Sequence, residues 1–249
     1  DGYGTMLKDG ERCLILDMDN AHDANLIKYD LLLLKTIKVI KDACDMIGTS
    51  YPRTHEIDFC DQEVWQDMAS SPMGLFQFES AFAFDSLRKF KPRSVEDITL
   101  VTAAIRPSGA SYRDRLLARK PETIWPDQIN NILKDNYYYL VYQEDVLDIL
   151  QQACGLSGGE ADTVRRGIAK KKLDLIEEST PKIIDGYCAR SDKPREEAEK
   201  EAENLIQILI DASSYMFGRN HAIGYSLLTY FCGYYRHYYP MEFITSFLN

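Results

Sequence analysis

The sequence predicts a mainly α-helical protein with a small strand-containing piece at its N-terminus. Two observations carry this. Beyond Pro52 nearly every segment shows apolar residues at helical spacing or a helix cap, with prolines between them. The only strand-like runs lie within the first thirty or so residues, beside an Asp-Gly turn signal. The 249 residues allow one large domain or two smaller ones, and 45% hydrophobic content can bury a proper core. There is no internal repeat and no low-complexity linker.

Taken in order, residues 12–16 (R-C-L-I-L) follow Asp9-Gly10 and predict a hairpin strand. A second short apolar run covers 26–29 and ends at Asp30. From 31 to 47, Leu33, Ile37, Ile40, Cys44 and Ile47 keep a helical period, and Gly48 supplies a stop. Further helices are expected over 61–69, 80–90, 94–105, 142–154, 159–169, 194–215 and 222–238. Ser94 with Asp97 has the form of a capping box with the shorter acid. Pro72, Pro92, Pro107, Pro121 and Pro126 punctuate the series. Residues 195–203 alternate in charge as an exposed helix face does.

Composition narrows the function classes. No stretch approaches the roughly 18 consecutive apolar residues of a membrane span. None of the six cysteines is paired at a CxxC spacing and the four histidines are far from them, which argues against zinc and for a reducing, cytoplasmic compartment. A chain that opens on Asp1 with no signal-peptide pattern reads as a piece of a longer protein. A net charge of −10 speaks against a nonspecific nucleic-acid coat, though a basic cleft can sit on an acidic body.

Against that acidity, residues 161–172 (A-D-T-V-R-R-G-I-A-K-K-K) hold five positive charges and one negative. Either this is a solvated helix face or it meets an anion, phosphate first among them. Arg166 and Lys170 share a face, and Asp162 is spaced to occupy one of Arg165 and Arg166, leaving the other cations free. Gly167 between them points to a close contact or the approach of another backbone.

Three other stretches stand out. In residues 74–80 (G-L-F-Q-F-E-S), Gln77 and Ser80 are the polar groups placed to face a ligand, while the flanking aromatics read as core. Arg106-Pro107-Ser108-Gly109 ends a helix in a turn where Gly permits a close approach. Arg106 there could reach a phosphate or neutralise the helix C-terminus. Arg113, Arg115, Arg119 and Lys120 extend positive charge beyond it. Finally, Arg219, Asn220 and His221 gather at a helix N-terminus, itself an anion site.

These strings, in this order, resemble the C-family replicative DNA polymerases, the bacterial DNA polymerase III alpha subunits. The match runs through G-L-F-Q-F-E-S, then K-P-x-x-V-E-D-I (91–98), A-x-x-R-P (103–107) and V-Y-Q-E-D-V (141–146). It continues through the basic run of 161–172 to Y-P-M-E-F (239–243). The resemblance implies the C-terminal part of a palm over 1–35 and a helical fingers domain over 36–249. It implies that Arg165, Arg166 and Lys170 grip the triphosphate of an incoming dNTP, with Arg106, Arg219, His221 and Gln77 in the same pocket. Asp30 falls at the family's third metal-binding carboxylate, in a palm that holds two Mg2+ ions for nucleotidyl transfer. Asp17 and Asp19, despite their Asp-x-Asp form, fall on a turn preceding that strand and are not assigned. The catalytic pair would lie upstream, so the chain alone is expected to be inactive. Primer-template DNA is the implied partner, with the sliding clamp and other replisome subunits bound through segments elsewhere and no membrane. The alternative is a non-catalytic polymerase relative that keeps a nucleotide or nucleic-acid grip. One departure is local: where the family has Gly-Phe-Asn-(Lys/Arg)-Ser-His, this chain has Met216-Phe217-Gly218-Arg219-Asn220-His221.

Overall fold

The computed structural model describes residues 4–27, 33–122, 124–169, 173–212 and 216–249. The chain divides into two units, Asp1–Lys35 and Thr36–Asn249. In the first, β1 (Thr5–Lys8) pairs antiparallel with β2 (Glu11–Leu14), with Lys8 opposite Glu11 and Thr5 opposite Leu14. Asp9 and Gly10 both take positive φ (53° and 86°), the left-handed pair that a two-residue hairpin turn requires. The strand thus sits one residue earlier than expected and ends at Leu14, because the turn fixes the register. A short helix, α1 (Met18–Asp23), follows. Asp17 accepts the N–H of Asn20 at 2.8 Å and so acts as its cap. Leu26 and Ile27 are irregular, and Asp30 lies outside the described residues.

The second unit is helical. Helix α2 (Lys35–Ile47) buries Ile40, Ala43 and Cys44, and it ends where Gly48 and Thr49 both donate to the Cys44 carbonyl. Ile37, expected on the inner face, is exposed. Side-chain caps set the next three helices. Asp61 caps α3 (Gln62–Ser70), Ser80 caps α4 (Ala81–Phe90) and Ser94 caps α5 (Val95–Ala104). At α5 the expected box is displaced by one residue. Ser94 accepts from the N–H of Asp97, but Asp97 reaches back to the N–H of Arg93, 3.0 Å away. Helix α5 is apolar around most of its circumference and is buried from Ile98 to Ala104.

Two short helices, α6 (Arg113–Leu117) and α7 (Asp127–Leu133), lie between prolines. Helix α8 (Gln143–Asp148) widens into a π-helical turn, Ile149–Ala153, before α9 (Gly158–Ala169). Helices α10 (Leu173–Cys188) and α11 (Arg195–Ala212) pack against each other and against α9. One core cluster joins this half, running from Trp125 through Ile149, Val164, Ile183 and Tyr187 to Leu209 and Met216.

Helix α12 (Arg219–Tyr238) packs on α5, α3 and α13 (Pro240–Leu248) and organises the other half. Gly233 lets it approach α3, since a Cβ there would lie 2.4 Å from Met68 Cγ and 2.7 Å from its sulfur. Arg236, only 6% exposed, locks the contact. Its guanidinium donates to the Asp67 carboxylate (2.8 Å) and to the carbonyls of Asp67 (2.7 Å), Ser71 (2.8 Å) and Met73 (2.7 Å). It thereby satisfies backbone oxygens left over at the end of α3. Replacing it by Met keeps the apolar stem and strips those oxygens of their donor. Arg236→Met is expected to lower the unfolding free energy by about 3–5 kcal/mol. Urea denaturation followed by circular dichroism measures this, and a loss below 1 kcal/mol would contradict the assignment.

Candidate functional site

Of the residues singled out from sequence, Gln77, Arg106, Arg165, Arg166, Arg219 and His221 lie around the junction between the start of α8 and the start of α12. Asp145, 1% exposed, is its centre. Its Oδ2 accepts the N–H groups of Val141 (2.9 Å) and Tyr142 (2.7 Å) and the side-chain amide of Asn136 (2.9 Å). Its Oδ1 accepts from Arg219 Nη2 at 2.6 Å. Burial pushes the Asp145 carboxyl above the usual carboxylate range, and the two backbone N–H groups and Arg219 pull it back toward the ionised form. The Arg219 guanidinium lies 5.1 Å from the Tyr142 ring centre. Tyr142 and Phe217 form a parallel bridge, and Gln143 donates from its backbone to the Phe217 carbonyl (3.1 Å) and from its side chain to that of Met216 (2.8 Å).

The α12 N-terminus does bind an anion, but the anion is the protein's own. Glu144 Oε2 accepts the Arg219 N–H at 2.7 Å. His221, in the first turn of the helix, is exposed, with its ring 5.0 Å from that of Phe217 and 4.1 Å from that of Tyr225.

Helix α9 brings the basic run to the same junction. Ser157 and Glu160 close a reciprocal capping box at its start. Arg165 donates from Nε (3.1 Å) and Nη2 (2.7 Å) to Asp162 Oδ1 and from Nη1 to Gln143 Oε1 (3.1 Å). Arg166 pairs with the other oxygen, Asp162 Oδ2. Asp162 therefore holds both arginines, where the spacing suggested one, because each carboxylate oxygen serves a different guanidinium. Arg166 first and Arg165 next keep the Asp162 carboxyl below the usual range. The Arg165 side chain is 20% exposed and three of its five N–H donors are engaged. That of Arg166 is 66% exposed with one engaged. Gly167 meets the close contact expected of it, since a Cβ there would lie 3.2 Å from Leu175 Cβ on α10. Lys170, Lys171 and Lys172 lie outside the described residues.

On the other side of the junction, Arg106 donates from Nη2 to Gln77 Oε1 at 2.6 Å and stands 4.8 Å from the Phe217 ring centre. Gln77 takes a positive φ of 69° to present that oxygen. The two readings of Arg106 separate here. The α5 C-terminus is served by Arg113, whose Nε donates to the Ala104 carbonyl (2.6 Å) and whose Nη2 donates to that of Arg106 (2.8 Å). The tight turn relies on Gly109, whose Cβ would meet the Ala104 oxygen at 2.2 Å. Among the described residues, the Arg106 Nε–H has no acceptor.

Phe78 is core, whereas Phe76 is half-buried with its ring edge-on to Tyr225 at 5.1 Å. Ser80, expected to face a ligand, instead caps α4. Arg115 and Arg119 are consumed by Glu122 and Asp97. Gln77, Arg106, Phe217, Gln143, Arg165, Asp162 and Arg166 thus form one run of contacts, with Arg219 and His221 beside it on α12. The sequence reading gave Gln143, Glu144 and Asp145 a helix start and a place in the V-Y-Q-E-D-V string, but no role at the site. Among the described residues, no group of three or more His, Cys, Asp and Glu is placed to hold a metal ion.

The Asp145–Arg219 pair should show strong coupling, since removing either partner strands the other. Asp145→Ala is expected to cost about 3–5 kcal/mol alone and about 2 kcal/mol less when Arg219 is already Met. A double-mutant cycle in urea measures it; additive losses would show that the pair is not the hub.

Comparison with known proteins identifies the family. Residues 36–191 match the family model of the bacterial DNA polymerase III alpha subunit finger domain. The chain is 32% identical, over 97% of its length, to the DNA polymerase III subunit alpha of Treponema pallidum. It is 33% identical over 97% to that of Campylobacter jejuni and 29% identical over 93% to that of Bacillus subtilis. It spans 21% of the length of each of these relatives. The family-model match over 36–191 and these relatives show that the chain belongs to the finger-domain family of the bacterial DNA polymerase III alpha subunit.

Proposed function

We propose that this chain is the fingers region, over 36–249, with the C-terminal part of the palm over 1–35, of the catalytic subunit of a cytoplasmic DNA-directed DNA polymerase. Its task is to hold the triphosphate of the incoming dNTP against primer-template DNA. The observation that carries this reading is the position of Arg166 and Arg165, fixed in orientation by one carboxylate while keeping unengaged N–H donors. Guanidinium groups held in place offer a ready fork for phosphate oxygens and offset the charge that builds on the leaving pyrophosphate. Lys170 would follow on the same face. Arg106, Arg219, His221 and Gln77 border the pocket, with Arg106 steadied by Gln77 and Phe217.

Two Mg2+ ions belong to this proposal as ions shared between Asp30 and an Asp-x-Asp pair elsewhere in the longer protein, where they would activate the primer hydroxyl and clamp the triphosphate. The chain by itself would bind nucleotide without extending a primer. The sliding clamp and other replisome subunits would bind through other segments of that protein.

Fluorescent dNTP titration tests the grip. Arg165→Ala with Arg166→Ala is expected to weaken binding by about 10- to 100-fold, the loss of one or two charge-assisted contacts. Unchanged affinity would overturn the phosphate assignment. In the full-length protein, Asp30→Asn should abolish primer extension. Extension that survives Asp30→Asn would remove Asp30 from the metal site, and a full-length protein that binds dNTP but never extends would be a non-catalytic relative.

A further inference from the structure

The string K-P-x-x-V-E-D-I carried part of the resemblance and received no role of its own. It opens at the end of a run, Arg88-Lys89-Phe90-Lys91-Pro92-Arg93, with four cations in six positions and no acid, in a chain of net charge −10. About half of the described cations of the helical unit meet a carboxylate, as in Lys38–Asp42, Arg119–Asp97, Arg195–Glu199 and Arg219–Asp145. Among the described residues, Arg88, Lys89, Lys91 and Arg93 have no such partner, and all four are exposed.

Helix C-terminal charge accounts for only half of the run. Arg88 and Lys89 sit in the last turn of α4, where cations complement the free carbonyls. Lys91 is the left-handed cap (φ 55°) and Arg93 lies beyond it. Both line two adjoining clefts, of about 440 and 450 Å³, and stand on the ridge the clefts share. One cleft continues along Arg88, Gln62 and Gln66, the other along Lys89 and Arg119. The acid in the second cleft, Asp97, is already neutralised by Arg119 at 2.9 Å. Arg119 also donates to the Phe90 and Lys91 carbonyls, which holds the ridge in shape.

We propose that this ridge binds the phosphodiester backbone of duplex DNA, at a site separate from the triphosphate pocket; this rests on the reading of the chain as part of a DNA polymerase. Two adjoining cationic clefts suit a repeating anion rather than a single phosphate. Among the described residues, the only aromatics lining the clefts, Trp65 and Phe90, are buried, which decides between duplex and single strand. Grooves that bind unpaired strands combine cations with exposed aromatic faces. Here Phe90 is 1% exposed and Trp65 is 4% exposed. Contact is therefore with backbone, independent of sequence, and strongly dependent on salt.

The test is fluorescence anisotropy of the 249-residue chain with a dye-labelled, mixed-sequence DNA duplex, at several salt concentrations. Lys91→Gln with Arg93→Gln, and separately Arg88→Gln with Lys89→Gln, should each weaken binding by about tenfold at low salt. Each should also reduce the slope of log affinity against log salt by about two. Thermal melting of the variants, whose altered side chains are all exposed, confirms that they fold, and dNTP affinity should stay at the wild-type value. No duplex binding by the wild type, or wild-type affinity in both double variants, overturns the proposal. Tighter binding of the matching single strand overturns the duplex assignment. A wild type that binds duplex through this ridge yet binds no dNTP would overturn the triphosphate reading and leave this one standing.

Discussion

A single buried carboxylate organises this site. Asp145 gathers donors from Asn136, from two successive backbone N–H groups and from Arg219, so it fixes the loop after α7, the first turn of α8 and the first turn of α12 together. An ion this deeply buried is stable only while every lone pair is matched, so these segments cannot shift independently. The consequences spread outward. With the α8 start fixed, Gln143 can bridge the Met216 carbonyl and Arg165. With the α12 start fixed, Phe217 can face Arg106.

The protein also solves a problem of self-repulsion. Four arginines drawn to one junction would push each other apart, and the relief comes from carboxylates built into the same elements. Asp162 takes Arg165 and Arg166, Asp145 takes Arg219, and Gln77 gives Arg106 a neutral acceptor. The pairing sets direction as well as charge: a guanidinium anchored on one edge presents its remaining edge along a defined line.

The helical class, the hairpin turn, the cap at Ser94 and the stop at Gly48 were legible because each depends on residues within four positions of one another. Helix α10 was not, because Pro181 lies in its interior and its inner residues Ile176, Ile183 and Tyr187 leave long gaps. Helix α13 was hidden in a string read only as a motif, although Pro240 at its first position is a start signal. At the site, Asp162 was legible from spacing as a partner of the α9 arginines. The partners of Arg219 and Arg106 were not, since the Arg219–Asp145 bond spans 74 residues and the Arg106–Gln77 bond 29. Arg113, rather than Arg106, serves the α5 C-terminus for the same reason: the turn at Gly109 folds it back onto Ala104, and local spacing carries no record of that.

The two basic surfaces differ in how they can recognise phosphate. At the junction, carboxylates cancel much of the cationic charge, so attraction must come from aimed N–H donors acting at short range. Such contacts select a geometry, as a triphosphate held in one pose demands. On the ridge, among the described residues, no carboxylate pairs with Lys91 or Arg93 (Asp97 in the cleft is taken by Arg119), the side chains are exposed, and the field reaches into solvent with salt to limit it. Such a surface attracts any polyanion and fixes none in detail, which suits a duplex that must pass without being read. On the proposed reading, one acidic chain would separate selective from permissive binding by where it places its acids, beside some arginines and away from others.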